Sequence, residues 1–247
     1  MKRTIKSLIL ATALTIVTSG IAMATPSTQI WIPSTDVQGF KSLHLGIDNY
    51  TRTSNNSSVG NVYDLGVTAG VLPFEKLQAE VGVDYITSGS NGYDSRPIYF
   101  NAKIGTPEGS LFELSPALAV GGYGFGTNGD KNSAFRTDQN IVYGLAAKTL
   151  PVIGRLSAGY YFGNDKVIGP KDDGVLLSWD RTMSEISDKL WLAADYQGGK
   201  NTVGAFSFGA SWAFSKNVSV IFGYDIYNDQ QLAGKNTFTT QVDINFP

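Results

Sequence analysis

Five aspartates stand where they could act on a passing solute. Asp48 lies in Gly46-Ile47-Asp48, Asp84 in Gly82-Val83-Asp84-Tyr85 and Asp225 in Gly223-Tyr224-Asp225; Asp64 and Asp195 fall at comparable heights in their own segments. Carboxylates gathered around an aqueous passage enrich cations and repel anions. The same groups have a structural use, as acceptors for Arg, Tyr and backbone donors inside a packed interior, and both uses can hold at once. Basic residues that could answer them are Lys103, Lys148 and Arg155, which accompany Glu80, Asp180 and Asp243. Catalytic chemistry has little material. His44 is the sole histidine, and Asp48, four residues along an extended strand, is about 13 Å away. A carboxylate on a neighbouring strand is the remaining way to engage it. There is no cysteine, no His or Cys cluster with metal-site spacing, and no Asp/Asn loop matching a calcium site. The run Gly121-Gly122-Tyr123-Gly124-Phe125-Gly126 reads as strand and opens no phosphate-binding helix. No metal, cofactor or enzymatic activity is expected.

The elements that must carry these residues have a period of two. Leu43, Leu45 and Ile47 share one face against His44, Gly46 and Asp48, and Tyr63, Leu65, Val67 and Ala69 oppose Asp64, Gly66, Thr68 and Gly70. Leu77, Ala79, Val81, Val83 and Tyr85 oppose Gln78, Glu80, Gly82 and Asp84, and similar runs continue to the C-terminus. Such alternation is the strand signal, and no segment after the N-terminal leader sustains a helical period as well. About twelve strands are expected, near 40–50, 61–72, 76–87, 97–106, 113–126, 139–150, 153–163, 174–183, 188–197, 203–214, 217–228 and 236–246. Most are near the length of a tilted membrane strand, about 9–11 residues.

The connections sort by length. Turns at 73–76, 151–154, 183–188 and 215–217 are short, with a longer one at 107–112. Polar loops at 51–60, 88–96, 127–138, 164–173 and 228–235 are longer, and on that side only 198–202 is short. Short turns at one rim and long loops at the other are the asymmetry of an outer-membrane barrel. Aromatics gather near the strand ends, as at a membrane boundary: Tyr63, Tyr85, Tyr160 and Phe206 toward the long loops, Phe74, Trp179, Trp212 and Phe246 toward the short turns. Charged residues are 16% of the chain, against roughly a quarter in soluble proteins, and mean hydropathy is −0.06. A lipid-spanning barrel has both properties, because each strand averages a wet and an apolar face. The net charge of −2 supplies no basic field, so no nucleic-acid partner is expected.

The N-terminus carries Lys2, Arg3 and Lys6, an apolar run over 8–21 and Ala22-Met23-Ala24, the pattern of a cleaved signal peptide over residues 1–24. Residues 25–39, with Trp31, Pro26 and Pro33, precede the first strand and form either a lumen plug or a periplasmic segment; the barrel is expected over 40–247. Small residues on the polar faces (Gly66, Gly70, Gly82, Gly121, Gly144, Gly159, Gly209 and Gly223) leave room in the lumen. The last strand ends on Phe246 with one further residue, Pro247, close to the terminal aromatic that barrel-assembly machinery reads.

Four stretches carry a resemblance: Gln29-Ile30-Trp31-Ile32-Pro33-Ser34-Thr35, Val71-Leu72-Pro73-Phe74-Glu75-Lys76, Asn101-Ala102-Lys103-Ile104-Gly105-Thr106-Pro107 and Leu177-Ser178-Trp179-Asp180-Arg181. With them the chain resembles a family of small, uncharacterised, porin-like outer-membrane proteins from anaerobic, metal-reducing bacteria. The resemblance spans most of the mature chain and implies an outer-membrane β-barrel; it brings no functional residues. The expectation from the sequence is therefore an all-β, up-and-down transmembrane antiparallel barrel, exported through the periplasm to a Gram-negative outer membrane. Its expected partners are membrane lipid, the assembly machinery, and ions or small polar solutes. Asp48, Asp64, Asp84, Asp195 and Asp225 would give a mild cation preference. The alternative is a closed structural barrel that binds partners through its long loops.

Overall fold

The computed structural model describes residues 27–89 and 92–247; the expected signal peptide lies outside them. Twelve strands form: β1 Leu43–Arg52, β2 Val62–Gly70, β3 Gln78–Thr87, β4 Ile98–Thr106, β5 Ala117–Gly126, β6 Asp138–Leu150, β7 Gly154–Phe162, β8 Asp173–Thr182, β9 Leu190–Gln197, β10 Ala205–Ala213, β11 Val218–Tyr227 and β12 Thr237–Phe246. Each pairs antiparallel with its sequence neighbours, and β12 returns to β1 to close the barrel. The closing seam runs in register from Leu43 opposite Phe246 to Arg52 opposite Thr237. Closure matters physically because it leaves no edge strand with unpaired backbone groups.

All twelve expected strands are present, with ends shifted by a few residues. The largest shift is at β5, which starts at Ala117 rather than at 113. Pro116 has no N–H to give a ladder, and Ser115 closes a turn by bonding back to Phe112 O at 2.8 Å. Among the described residues, helix is confined to a single α turn at Asp165–Ile168 and a 3₁₀ turn at Tyr93–Ser95, both in loops on the long-loop side.

The two faces of the sheet are inverted relative to a water-soluble protein. Outward positions carry Ile47, Leu65, Val83, Leu177, Phe208 and Phe222, each 38% exposed or more. Inward positions carry buried Thr68, Ser157, Ser178, Ser207, Thr239 and Gln241. The interior is also partly apolar. Ile141, Tyr143 and Leu145 of β6 pack with Tyr161, Ile168, Leu176 and Val203 around Ile32 from the segment before β1.

That segment lies inside the barrel. Residues 27–34 form a tight hairpin with a bridge between Thr28 and Pro33 and a turn bond from Gln29 N to Ile32 O at 2.8 Å. Gln29, Ile30, Ile32, Ser34 and Thr35 are almost fully buried. Inward glycines make its space: a Cβ on Gly223 would lie 3.1 Å from Ile30 Cγ2, and one on Gly105 would lie 3.0 Å from Val37 Cγ2. Gly144, expected inward, instead lies on the outward face. Its cross-strand partners are Val120, 63% exposed, and Tyr160, 40% exposed. The inward side of β6 is the more apolar one, which reverses the parity that hydrophobicity suggests.

The two glycines on the β6–β7 ladder give a direct check. A Cβ on inward Gly159 would sit 2.2 Å from Gly144 O, whereas a Cβ on outward Gly144 meets nothing within 4 Å. Gly159→Ala is expected to cost about 1–3 kcal/mol through overpacking, with Gly144→Ala near neutral, read from urea unfolding of the refolded barrel.

Candidate functional site

The lumen divides into a filled half and an open half. Along β7–β12 the hairpin and the incoming loops occupy the interior. Asn201 Nδ2 donates to Tyr161 Oη at 2.7 Å and also reaches Lys171 O; its Oδ1 accepts from Gly204 N at 2.7 Å. Trp31 Nε1 donates to Val203 O at 2.7 Å, and its ring meets Tyr50 and Tyr227 edge-on at 5.4 and 5.5 Å. Along β1–β5 an open cavity of about 480 Å³ remains, running from the long-loop mouth down to His44, Glu80 and Lys103.

Three of the expected aspartates line this cavity. The register sets Asp48 of β1 directly opposite Asp64 of β2, and Asp84 of β3 opposite Gly66, one step along the same face. Gly66 leaves room there for the Asp84 carboxylate, whose Oδ1 would lie 2.7 Å from a Cβ at that position. Asn101 Nδ2 holds the other oxygen of Asp84 at 2.7 Å. Among the described residues none of the three forms an ion pair. The nearby cations are engaged elsewhere: Arg136 pairs with Asp138 at 2.5 Å, and Arg52 donates to Gly60 O and Lys235 O while resting on the Tyr227 ring. Like charges directly opposite on one sheet face are unfavourable, so this arc costs stability where it stands.

A fourth carboxylate joins the cavity wall from the 88–97 loop. Burial opposes ionisation of Asp94. Hydrogen bonds from Ser88 N at 2.9 Å and Thr87 Oγ1 at 2.7 Å outweigh it and hold the carboxyl below its usual value. Sequence reading passed over Asp94, since only the fold of its loop brings it to the mouth.

The other two expected aspartates do not face the cavity. Asp195 Oδ2 accepts from the backbone N–H groups of Ile30 and Trp31, both at 2.9 Å, at the tip of the hairpin. Asp225 is fully buried and accepts from Thr237 Oγ1 at 2.7 Å. The five therefore form no ring: three make an open arc, one holds the hairpin and one is packed between strands.

The basic residues are compensated. Lys103 pairs with Glu80 at 3.1 Å, both buried, and donates to Ser27 O at 3.2 Å. Glu80 also accepts from Ser27 Oγ and Gln38 N. Arg155 bridges Asp36 at 2.6 Å and Asp180 at 3.0 Å, and Asp180 accepts from Gln29 and Trp191 as well. Lys148, expected in the lumen, is on the outward face: its partner across the ladder is exposed Leu156, and its ammonium meets Glu108 at the short-turn rim, at 2.8 Å. Burial opposes ionisation of Glu108, but bonds from Lys148 and Thr149 hold its carboxyl below the usual value.

His44 finds the carboxylate of a neighbouring strand, Asp243, at 3.2 Å, and Ser219 Oγ reaches the other oxygen of that carboxylate at 3.3 Å. The order is Ser–Asp–His. In a hydrolytic triad the imidazole must stand between hydroxyl and carboxylate to take the hydroxyl proton. Here the carboxylate takes that place, and the cluster reads as interior support.

No family model matches the chain, and no curated protein matches it. Among solved structures it is similar to an outer-membrane channel from Pseudomonas putida F1, at 12% identity over 91% of this chain and 100% of that one, with a TM-score of 0.49. It is also similar to a KdgM porin, at 10% identity over 83% and 98%, TM-score 0.48, and to a mutant of Rh. blastica porin, at 9% identity over 83% and 98%, TM-score 0.40. The chain itself is a closed twelve-stranded antiparallel barrel with a polar, partly filled interior.

The uncompensated and compensated carboxylates should respond in opposite senses. Asp64→Asn is expected to stabilise the barrel by up to about 1 kcal/mol by relieving the opposed pair. Glu80→Ala should destabilise it by about 3–5 kcal/mol, because buried Lys103 loses its counter-charge. Unfolding midpoints of the two variants against the parent chain check both signs.

Proposed function

We propose that the protein is an outer-membrane channel for ions or small polar solutes, with a mild preference for cations. The observation that carries this reading is the arc of Asp48, Asp64 and Asp84: three carboxylates without ion-pair partners among the described residues, facing a cavity inside a barrel whose outer face is apolar. A fold selected for stability alone would pair or remove such charges, as the lower half does with Glu80–Lys103 and Arg155–Asp180. Asp94 adds negative charge at the mouth. A cation entering there gains favourable potential without a tight, desolvating cage, the balance that conduction needs.

The membrane setting follows from the outer face. In water a girdle of exposed Val, Leu, Phe and Tyr around a closed barrel would be a large uncovered apolar patch. In a bilayer it is the covered surface, and the closed sheet offers lipid no open edge. Apolar side chains at the short-turn rim, among them Phe74, Phe112, Leu114 and Phe214, extend the girdle toward the headgroup boundary. Phe246, outward and 48% exposed on the closing strand, is the feature the assembly machinery would engage. Lipid, assembly machinery and small solutes are thus the proposed partners, with no cofactor.

In planar bilayers under a potassium chloride gradient, the refolded mature protein is expected to give discrete conductance steps with a cation-selective reversal potential. Replacing Asp48, Asp64 and Asp84 together by Asn should move that potential toward zero, whereas Asp225→Asn should leave it in place. Electrically silent bilayers containing folded barrel would instead support a structural barrel acting through its loops.

A further inference from the structure

The segment before β1 is joined to the barrel wall by a set of bonds unlike those of the wall itself. Among the described residues one isolated bridge, Phe40 to Gly70, ties it to a strand by ladder pairing. Everything deeper is held by side chains. At the hairpin tip, Asp195 takes the two N–H groups of Ile30 and Trp31, and Gln241 Nε2 donates to Ile30 O at 2.7 Å. At its base, Glu80 takes Ser27 Oγ at 2.9 Å and Gln38 N at 2.6 Å, while Arg155 holds Asp36. The apolar contacts are side-chain packing as well: Ile32 in the β6–β8 cluster, Ile30 against Trp191, Ala193 and Ile221, and Trp31 against Tyr50, Tyr227 and Ala233.

Such an arrangement is separable. Withdrawing a strand from a closed barrel breaks two ladders and exposes edges. Withdrawing this hairpin breaks no ladder, and every group it leaves behind lines a lumen that water can enter. The hairpin also occupies the half of the lumen that the cavity does not. Inward glycines at 105 and 223 are shaped to it, so the wall accommodates it specifically.

From this geometry we infer that residues 27–38 are a latched plug: in place, they confine passage to the cavity beside β1–β5, and they leave the lumen when the pore is fully open. The latch is the Asp195 carboxylate on the hairpin tip, and the chain passing Phe40 at the short-turn rim is the tether. The inference rests on the channel reading, since a plug has meaning only in a conducting barrel.

Two variants test it, both made as mature protein with folding checked by circular dichroism and heat-modified gel mobility. The first lacks residues 25–38. It is expected to show unitary conductance at least about twofold above the full mature chain, since about half of the lumen is freed. The second is I30C/G223C in the otherwise cysteine-free chain. A Cβ at 223 would lie 3.1 Å from Ile30 Cγ2, which puts the two side chains within reach of a cross-link once Thr239 gives way. Oxidised, this variant should hold the low-conductance level alone; reduced, it should regain the transitions of the parent. Equal conductance with and without the segment, both cation-selective, overturns the plug and leaves the channel reading standing. Silence of both, with folded barrels, overturns both. Should the shortened chain not fold, identical traces of the oxidised and reduced disulfide variant overturn the plug by themselves.

Discussion

A closed antiparallel ladder pairs every strand on both sides, and this closure decides what each side of the sheet can face. Once β12 pairs with β1, the outer surface has no edge that needs water or a partner chain. Apolar residues can then stand outward all round, and polar ones inward. The low share of charged residues, the glycine-rich inner face and the aromatic strand ends are consequences of that inversion. The interior is where the chain spends its polar groups, and it spends them unevenly.

The unevenness separates two uses of buried charge. In the lower lumen the charged groups have partners: Glu80 with Lys103, Arg155 with Asp36 and Asp180, and Asp243 with the His44 ring. These networks brace the wall and seat the hairpin. On β1–β3, Asp48 and Asp64 oppose each other with no ion pair among the described residues, and Asp84 stands beside them. Lumen carboxylates therefore stand in two settings, compensated by partners and open to the cavity. The hairpin links them, because by filling the β7–β12 side it leaves the acidic side as the space in which a solute would travel.

The strands were legible because the pleat imposes a period of two, and most of them keep one apolar and one polar face. The rule failed where both faces are apolar. On β6, Ile141, Tyr143 and Leu145 look lipid-facing but point inward to a core formed with Ile32 and Tyr161, so the parity of Gly144 and Lys148 was reversed. Pattern alone cannot choose a side when an interior cluster competes with lipid for the same side chains. The arc of Asp48, Asp64 and Asp84 was legible because Gly-x-Asp on β1 and β3 and Asp-x-Gly on the antiparallel β2 between them put these residues at similar heights on one face. The separate fates of Asp195 and Asp225 were not. Asp195 is taken by backbone N–H groups 164 and 165 residues earlier, and local spacing carries no trace of such a contact. The place of the hairpin was hidden for the same reason: Gln29 meets Asp180 and Ile30 meets Gln241 across most of the chain.

The sidedness of the barrel can be measured directly, because its four tryptophans divide between the faces. Trp179 and Trp212 point outward, Trp212 being 40% exposed, while Trp191 points inward and is 4% exposed, and Trp31 sits on the hairpin inside the lumen. Four variants, each keeping one tryptophan and replacing the others by phenylalanine, would be reconstituted in vesicles of brominated lipid. The account predicts strong quenching of Trp179 and Trp212 by the lipid and little of Trp31 and Trp191. Equal quenching of Trp191 and Trp212, or quenching of neither, would contradict a barrel whose apolar outer face meets lipid and whose polar interior holds the chain's N-terminal segment.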